Sequence, residues 1–508
     1  MSPLSSRRTT SFAGLWRYGA LLVVAALIGL LLPPGLSSAA PVLDGAAVDR
    51  FMAAHLESTG LPGAAIAITH RDQVVYLRGY GHTSAGDRVT ADSLFPVGSV
   101  SKSFTALAVM QLVDAGRLEL DTPVQRYLPD FAPRGSRSAS ITVRQLLNQT
   151  SGLSDQTFPD AREPQPDSLQ ESVTRLRSAE PATAPGGNWN YHNPNYHIAA
   201  RLVEVVAQTP FADYLKRHVF GPLNMASSVT LNNTRDFHGV PKGHAYVYGR
   251  AVARSEPAQF VNGSHGVVST AHDMAQWLIL HNNSGKSMNG AQVVSPQAID
   301  VLHTPPKPEP GYAMGWFADT DDGRNELAHD GAWFTFTADQ TLLPETGYGI
   351  AVLANVGIGL GISDTSVITQ GLITLIEGET PQPGSNSTLV VHLVLAGLTL
   401  LTIAAGVWGA LRSRLWAQRR NGRPIWRLCL RLLPYGIPLV ALWWLPPIVD
   451  AVFNGPAITW SQIMVGGIPL VVWIVSGVVM SVAVVSLRCI ALLRLRAGTP
   501  ERAQPKHI

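Results

Sequence analysis

The chain has 508 residues, of which 46% are hydrophobic and only 14% charged, with a formal net charge of +3 and a mean hydropathy of +0.13. Soluble domains carry about 25% charged residues, so this composition excludes a wholly solvated protein, and 46 Gly with 36 Pro exclude a collagen-like or low-complexity polymer. Two cysteines, Cys429 and Cys489, exclude a disulfide framework.

In chain order, Arg7, Arg8 and Arg17 precede an apolar run at 19–32, and Ser37-Ser38-Ala39-Ala40-Pro41 follows it. A basic start, an apolar core and small residues before a proline predict a secretory signal over 1–40, or an N-terminal anchor if it is not cleaved. From 41 to 380 the pattern predicts one large globular domain. A helix is expected at 49–58, then a hairpin from β-rich runs 63–69 and 74–80 turning at Arg71-Asp72. Phe104, Leu107, Ala108 and Leu112 give 101–115 a helical period that stops at Gly116. Residues 143–147 and 199–206 are further helical candidates. The Pro-, Ser- and acid-rich stretch 155–187 reads as a long surface excursion. Runs 333–343 and 348–355 read as paired strands, and 366–376 as a closing helix. Strands at both ends with helices between predict an α+β fold: a mixed antiparallel sheet flanked by helices, with an all-helical lobe inserted.

A short linker, 381–388, leads to three apolar runs at 389–411, 432–449 and 463–487, and a tail at 488–508. A bilayer core about 30 Å thick takes about 20 residues of helix, so three transmembrane helices are expected, the second interrupted by Pro434 and Pro438. Seven arginines and no acid separate the first two runs, and basic residues dominate after the third. Short basic loops stay cytoplasmic, which predicts a multi-pass protein of the cell membrane with residue 41 onward outside the cytoplasm and lipid as one partner. Residues 1–40 carry three basic and no acidic side chains, and 389–508 twelve basic and two acidic. That leaves 23 basic and 33 acidic residues in 41–388. An acidic working domain lacks the basic patch that nucleic acid requires, so no nucleic-acid partner is expected.

Three local patterns in this domain carry chemistry. Ser99 and Lys102, in Gly98-Ser99-Val100-Ser101-Lys102, stand one turn apart at an expected helix start, where either an ammonium lowers the serine pKa or a neutral amine takes its proton. The helix start also supplies N–H groups for a developing oxyanion. Ser101 reads as an ordinary helix-start residue. Tyr191 and Asn193, in Tyr191-His192-Asn193, offer a phenol for proton transfer and an amide for a substrate carbonyl. His329 and Gly331, in His329-Asp330-Gly331-Ala332, place a cation beside a small residue on an edge strand that a substrate backbone can approach. His192 and His197 read as solvated loop residues and 319–323 as a turn. No G-x-S-x-G, H-E-x-x-H or P-loop occurs, and neither a metal nor a cofactor is expected.

Ser-x-x-Lys, Tyr-x-Asn and His-x-Gly in this order resemble the serine β-lactamase and penicillin-binding-protein superfamily, in its class C-like branch. The resemblance extends to Leu146-Leu147-Asn148-Gln149-Thr150-Ser151-Gly152-Leu153, to 266–274 and to Tyr312-Ala313-Met314-Gly315-Trp316. It implies a serine hydrolase in which Ser99 is acylated, Lys102 activates it, and Tyr191 is general base and acid. Asn193 would orient the substrate amide, His329 would stand where the third-motif cation stands, and the N–H groups of Ser99 and Ala332 would form the oxyanion hole. His329 replaces the lysine of efficient lactamases, which points to a D-alanyl peptide, with peptidoglycan a candidate partner, or to an ester. Weak lactam hydrolysis, or a sensor acylated at Ser99 without turnover, is the alternative.

Overall fold

The computed structural model describes residues 43–306, 311–319, 324–359, 363–453 and 457–497. The signal segment, most of the turn at 319–323 and the end of the tail lie outside the described residues.

Helix α1 (Gly45–Thr59) is capped by the Asp44 carboxylate and ends at Gly60 in the left-handed region. The hairpin β1 (Gly63–His70) and β2 (Gln73–Gly81) follows, then β3 (Phe95–Pro96), α2 (Ser101–Asp114), α3 (Val143–Leu147), α4 (Leu169–Arg175), α5 (Pro194–Ala207) and α6 (Phe211–Leu215). Next come β4 (Val229–Thr230), the hairpin β5 (Gly243–Val247) and β6 (Arg250–Arg254), β7 (Val267–Ser269), α7 (Ala271–Asn282) and α8 (Pro296–His303). The domain closes with β8 (Tyr312–Ala313), β9 (Trp316–Asp319), β10 (Glu326–Ala332), β11 (Thr337–Leu343), β12 (Tyr348–Ala354) and α9 (Asp364–Ile376).

Seven strands form one sheet in the order β2-β1-β12-β11-β10-β9-β8, antiparallel at each described pairing. β1 and β12 are nearly continuous apolar runs because both of their faces are covered. Ile66, Ile68, Ile350 and Val352 face α1 and α9, while Ala65, Ala67, Ala351 and Leu353 face the larger core with α2 and α7. Gly371 makes the first of these layers thin: a Cβ there would lie 2.2 Å from the Phe51 ring. The helical lobe, α3 to α6, is inserted between β3 and β7 and joins the larger core through Leu146, Leu147, Tyr196, Leu202 and Phe211. The α+β fold with an inserted helical lobe is therefore the observed one.

Two local expectations change. The stretch 155–187 is no surface excursion. It contains α4, and Phe158, Leu169, Val173 and Leu176 are buried beneath its polar residues. The strand expected at 333–343 starts at Thr337, and His329 to Ala332 lie on the strand before it, β10.

The C-terminal region has three helical stretches long and apolar enough to cross a membrane: α10 (Ser387–Leu411), residues Ile425–Trp443, and α16 (Ile468–Ala497). The second combines α12 (Ile425–Leu432) and α13 (Ile437–Trp443) across a 3-10 turn that accommodates Pro434, and so lies earlier than 432–449; α11 (Ser413–Gln418) precedes it. The run 463–487 is broken at Gly467, which separates α15 (Trp460–Gly466) from α16, and α14 (Leu445–Phe453) precedes that break. Glycines bring α10 and α16 together: a Cβ on Gly406 would lie 2.5 Å from Met480. Trp473 Nε1 also donates to Thr402 Oγ1 at 3.1 Å.

Candidate active site

Ser99 sits in a single 3-10 turn, Gly98–Val100, that runs directly into α2. Two glycines determine what surrounds it. Gly98 has φ 54, and a Cβ on it would lie 2.4 Å from the Ala332 nitrogen. A Cβ on Gly331 would lie 2.0 Å from the Val97 carbonyl oxygen and 3.1 Å from the Ser99 nitrogen. The turn and the end of β10 therefore touch backbone to backbone, which brings the amides of Ser99 and Ala332 to one place. β9 pairs with β10 only at Glu326 to Ala328, so beyond that point the β9-side edge of β10 is unpaired by β9. Ser101, more than an ordinary helix-start residue, fastens this turn: its hydroxyl donates to Gly98 O at 2.6 Å and accepts the Val267 amide at 2.9 Å.

Lys102 is fully buried one turn along α2. Its Nζ lies 3.0 Å from Ser99 Oγ, 2.9 Å from Asn193 Oδ1 and 3.0 Å from the Ser264 carbonyl oxygen. Two of these partners only accept, so two N–H groups are committed to them. The third partner is a hydroxyl that is free to donate. Burial holds the Lys102 pKa well below its ordinary value, with Asp330 opposing weakly. An uncharged amine fits the site: two N–H groups held by carbonyl oxygens, and a lone pair facing Ser99.

Tyr191 and Asn193 are delivered by the loop before α5, with Pro194 in the first turn of that helix. The Leu146 to Leu153 segment props up this loop. Gln149, at φ 57, accepts from the His192 amide at 3.1 Å and from Asn195 Nδ2 at 2.6 Å through its side chain. Its carbonyl accepts the Asn190 amide at 2.8 Å. Lys102 Nζ stands 4.6 Å from the centre of the Tyr191 ring. Burial, then repulsion from Tyr312, pushes the Tyr191 pKa well above the ordinary phenol value, against a hydrogen bond with Ser99. At rest it is a proton-bearing phenol.

His329 lies on β10 facing the same cleft, with Nδ1 2.6 Å from the Asp330 carbonyl oxygen and Nε2 3.4 Å from the Tyr312 hydroxyl. Burial pushes its pKa down to about 4, with Asp330 pulling the other way. The cation expected at this position is therefore a neutral imidazole near pH 7. His192 and His197 are also buried, not solvated. His197 Nε2 reaches Ser264 Oγ at 2.8 Å, and His192 Nδ1 reaches Asp155 Oδ1 at 2.9 Å.

These side chains surround a cleft of about 580 Å³ with Ser99, Tyr191, Asn193, His329 and Ala332 in its wall. Ser264, His265 and Asp155 escaped sequence reasoning. Their only signals were a Ser-His pair in a glycine-rich loop and the first acid of an acid-rich stretch.

Residues 48–365 match the family model described as Beta-lactamase. The chain belongs to the beta-lactamase family. Members of this family are serine hydrolases, and this one is 32% identical over 328 residues to penicillin-binding protein 4 of Amycolatopsis lactamdurans, covering 61% of this chain and 84% of that protein. It is 27% identical over 313 residues to Protein flp of Staphylococcus aureus strain MW2, covering 61% of this chain and 62% of that one, so the chain spans less than two thirds of that relative. Among solved structures, the octameric penicillin-binding protein homologue from Pyrococcus abyssi superposes with a TM-score of 0.56 at 25% identity, over 66% of this chain and 78% of that one. The beta-lactamase match ends before the three apolar helices.

Proposed function

We propose that this beta-lactamase-family chain is a membrane-anchored serine hydrolase whose catalytic domain faces outward, acting through an acyl-enzyme at Ser99 on a D-alanyl peptide or an ester. The observation that carries this reading is the set of three contacts around Lys102 Nζ. Arginines in the short loop between the first two apolar stretches support the outward placement.

Ser99 Oγ attacks the carbonyl carbon while its proton passes to the neutral Lys102 amine. Negative charge on the carbonyl oxygen is met by the Ser99 and Ala332 amides, already in place. Collapse of the tetrahedral adduct breaks the bond to the leaving amine or alkoxide, which takes the phenolic proton of Tyr191. The Lys102 ammonium then returns its proton to the phenolate beside it. Water repeats the sequence on the acyl-enzyme and releases the acid. The buried lysine and tyrosine thus divide base and acid work between them, where the resemblance alone assigned both to Tyr191. With His329 neutral, a substrate carboxylate gains no cation from it, which favours slow lactam turnover.

Labelling the protein with a fluorescent penicillin and with an ester-type acyl probe, beside Ser99→Ala, tests this. Label on the wild type and none on the variant is expected. Absence of both labels from the wild type overturns the reading.

A further inference from the structure

The cleft does not end at the hydrolase domain. Ile458, from the segment joining α14 to α15, and Gln462, in the first turn of α15, stand in its wall together with Trp333 and Phe334. The same four residues and Ala332 also line a second cavity, of about 320 Å³, that lies between the domain and the apolar helices. Its remaining described lining includes Ile358, Val449, Ile463 and Leu470. Both volumes lie within the usual range for ligand pockets, roughly 300–1,000 Å³.

The polar groups of this second cavity are already engaged. Asp450 accepts from Arg162 Nη2 at 2.5 Å and from the Ile458 amide at 2.9 Å. Gln462 accepts the Thr459 amide at 2.7 Å and donates to Gln259 at 3.1 Å, and Trp333 Nε1 donates to the His265 carbonyl at 2.8 Å. What remains for a ligand is hydrocarbon surface. Gly359 and Gly466 keep the space open where the domain meets α15: a Cβ on Gly466 would rest 3.7 Å from the Gly359 Cα. On the far side, α14 to α16 present exposed Ile448, Met464, Val472 and Val475, the kind of surface that lipid covers.

The geometry points to a subsite for a hydrocarbon chain: the substrate is a membrane-borne amphiphile whose acyl chain runs from the carbonyl held at Ser99, past Ala332, into the cavity against the helices. This rests on the acyl-enzyme reading above and names its substrate class. Ala332 fits both roles, since its amide faces the carbonyl oxygen and its residue borders both cavities. The C-terminal helical region then does more than anchor, because α14, α15 and the start of α16, at Leu470, build the wall of the chain site.

The test uses the full chain in phospholipid nanodiscs and p-nitrophenyl esters of acetate, butyrate, octanoate and dodecanoate. The expected result is a rise in kcat/KM of at least about tenfold from acetyl to octanoyl, consistent with the free energy of burying a few methylenes. Gly466→Leu and Val449→Phe, which fill the cavity, should abolish that rise while acetyl-ester turnover and penicillin labelling stay within about twofold. Unchanged acetyl turnover also certifies that these variants fold. A wild type that turns over the acetyl ester with no gain for longer chains overturns the subsite alone, as does a gain that persists in both variants. Failure of wild-type Ser99 to label or turn over any ester overturns the hydrolase reading, and the subsite with it.

Discussion

Asp155, partly exposed at the cleft wall, pairs with the buried His192, with Oδ1 2.9 Å from Nδ1. The other oxygen of Asp155 accepts the amide of Ala457, in the segment between α14 and α15, at 2.8 Å. Burial opposes the charge on this carboxylate, but His192 and the amides outweigh it and hold its pKa below the ordinary value. One carboxylate therefore ties the loop carrying Tyr191 and Asn193 to the C-terminal helical region.

Asp155→Ala should loosen both ends of that tie. Hydrogen exchange at residues 457–463 and 189–193 is expected to quicken. The kcat on a short ester should fall by about tenfold, with smaller change in KM, because Tyr191 loses its position and not its chemistry. Unaltered exchange in both segments would show that Asp155 does not couple them.

Lys102→Arg separates the two roles open to this residue. Arginine keeps the positive charge and cannot act as a base at working pH. If the neutral amine is the base, acylation by an ester probe should drop by about 10²–10⁴-fold. In the wild type, acylation should fail on the acid side as Lys102 takes up a proton. Because its pKa is depressed, that limb should lie well below the ordinary lysine range. Stopped-flow acylation across pH 5–9 reads both.

Much of the fold was legible because its signals are local. Gly116 after Leu112 marked the end of α2, and Arg71-Asp72 marked the hairpin, since turn and cap chemistry sits in adjacent residues. The site was legible as far as motif spacing reaches, namely Ser99, Lys102, Tyr191, Asn193 and His329, all of which the fold brings to one cleft. What could not be read was burial. His329 beside Asp330 looks charged in sequence, and only the enclosing sheet and aromatic rings make it neutral. His197 likewise gains its role from Ser264, 67 residues away. The contact of Ala457 with Asp155 spans 302 residues and joins two regions that composition treats as unrelated.

The neutral state of His329 makes a negative prediction. With its pKa near 4, kcat/KM for a neutral ester should show no inflection from this residue between pH 6 and 8. His329→Gln should lower the rate less than about tenfold and leave the shape of the profile in that window unchanged. An inflection near pH 6.5 that disappears in His329→Gln would show that the imidazole is charged in the working enzyme.

Glu256 provides a test through stability. Its carboxyl lines the cleft, accepts from the Phe334 amide and from Thr335 Oγ1, both at 2.6 Å, and is pushed up to about 7 by burial against those hydrogen bonds. A carboxyl in the unfolded chain titrates near 4.3. The folded state thus holds the proton more tightly, so ionising Glu256 opposes folding. That penalty is absent below the unfolded value, grows as pH rises between the two values and is complete above about 7. Its full size is on the order of 3 kcal/mol. Glu256→Gln keeps an acceptor for the Phe334 amide and removes the charge, so it should raise the apparent Tm at pH 8–9 and leave it nearly unchanged at pH 4. Thermal unfolding of both proteins across that range checks the sign. A variant destabilised equally at every pH would mean that the carboxyl contributes its hydrogen bonds alone and that its ionisation carries no folding cost.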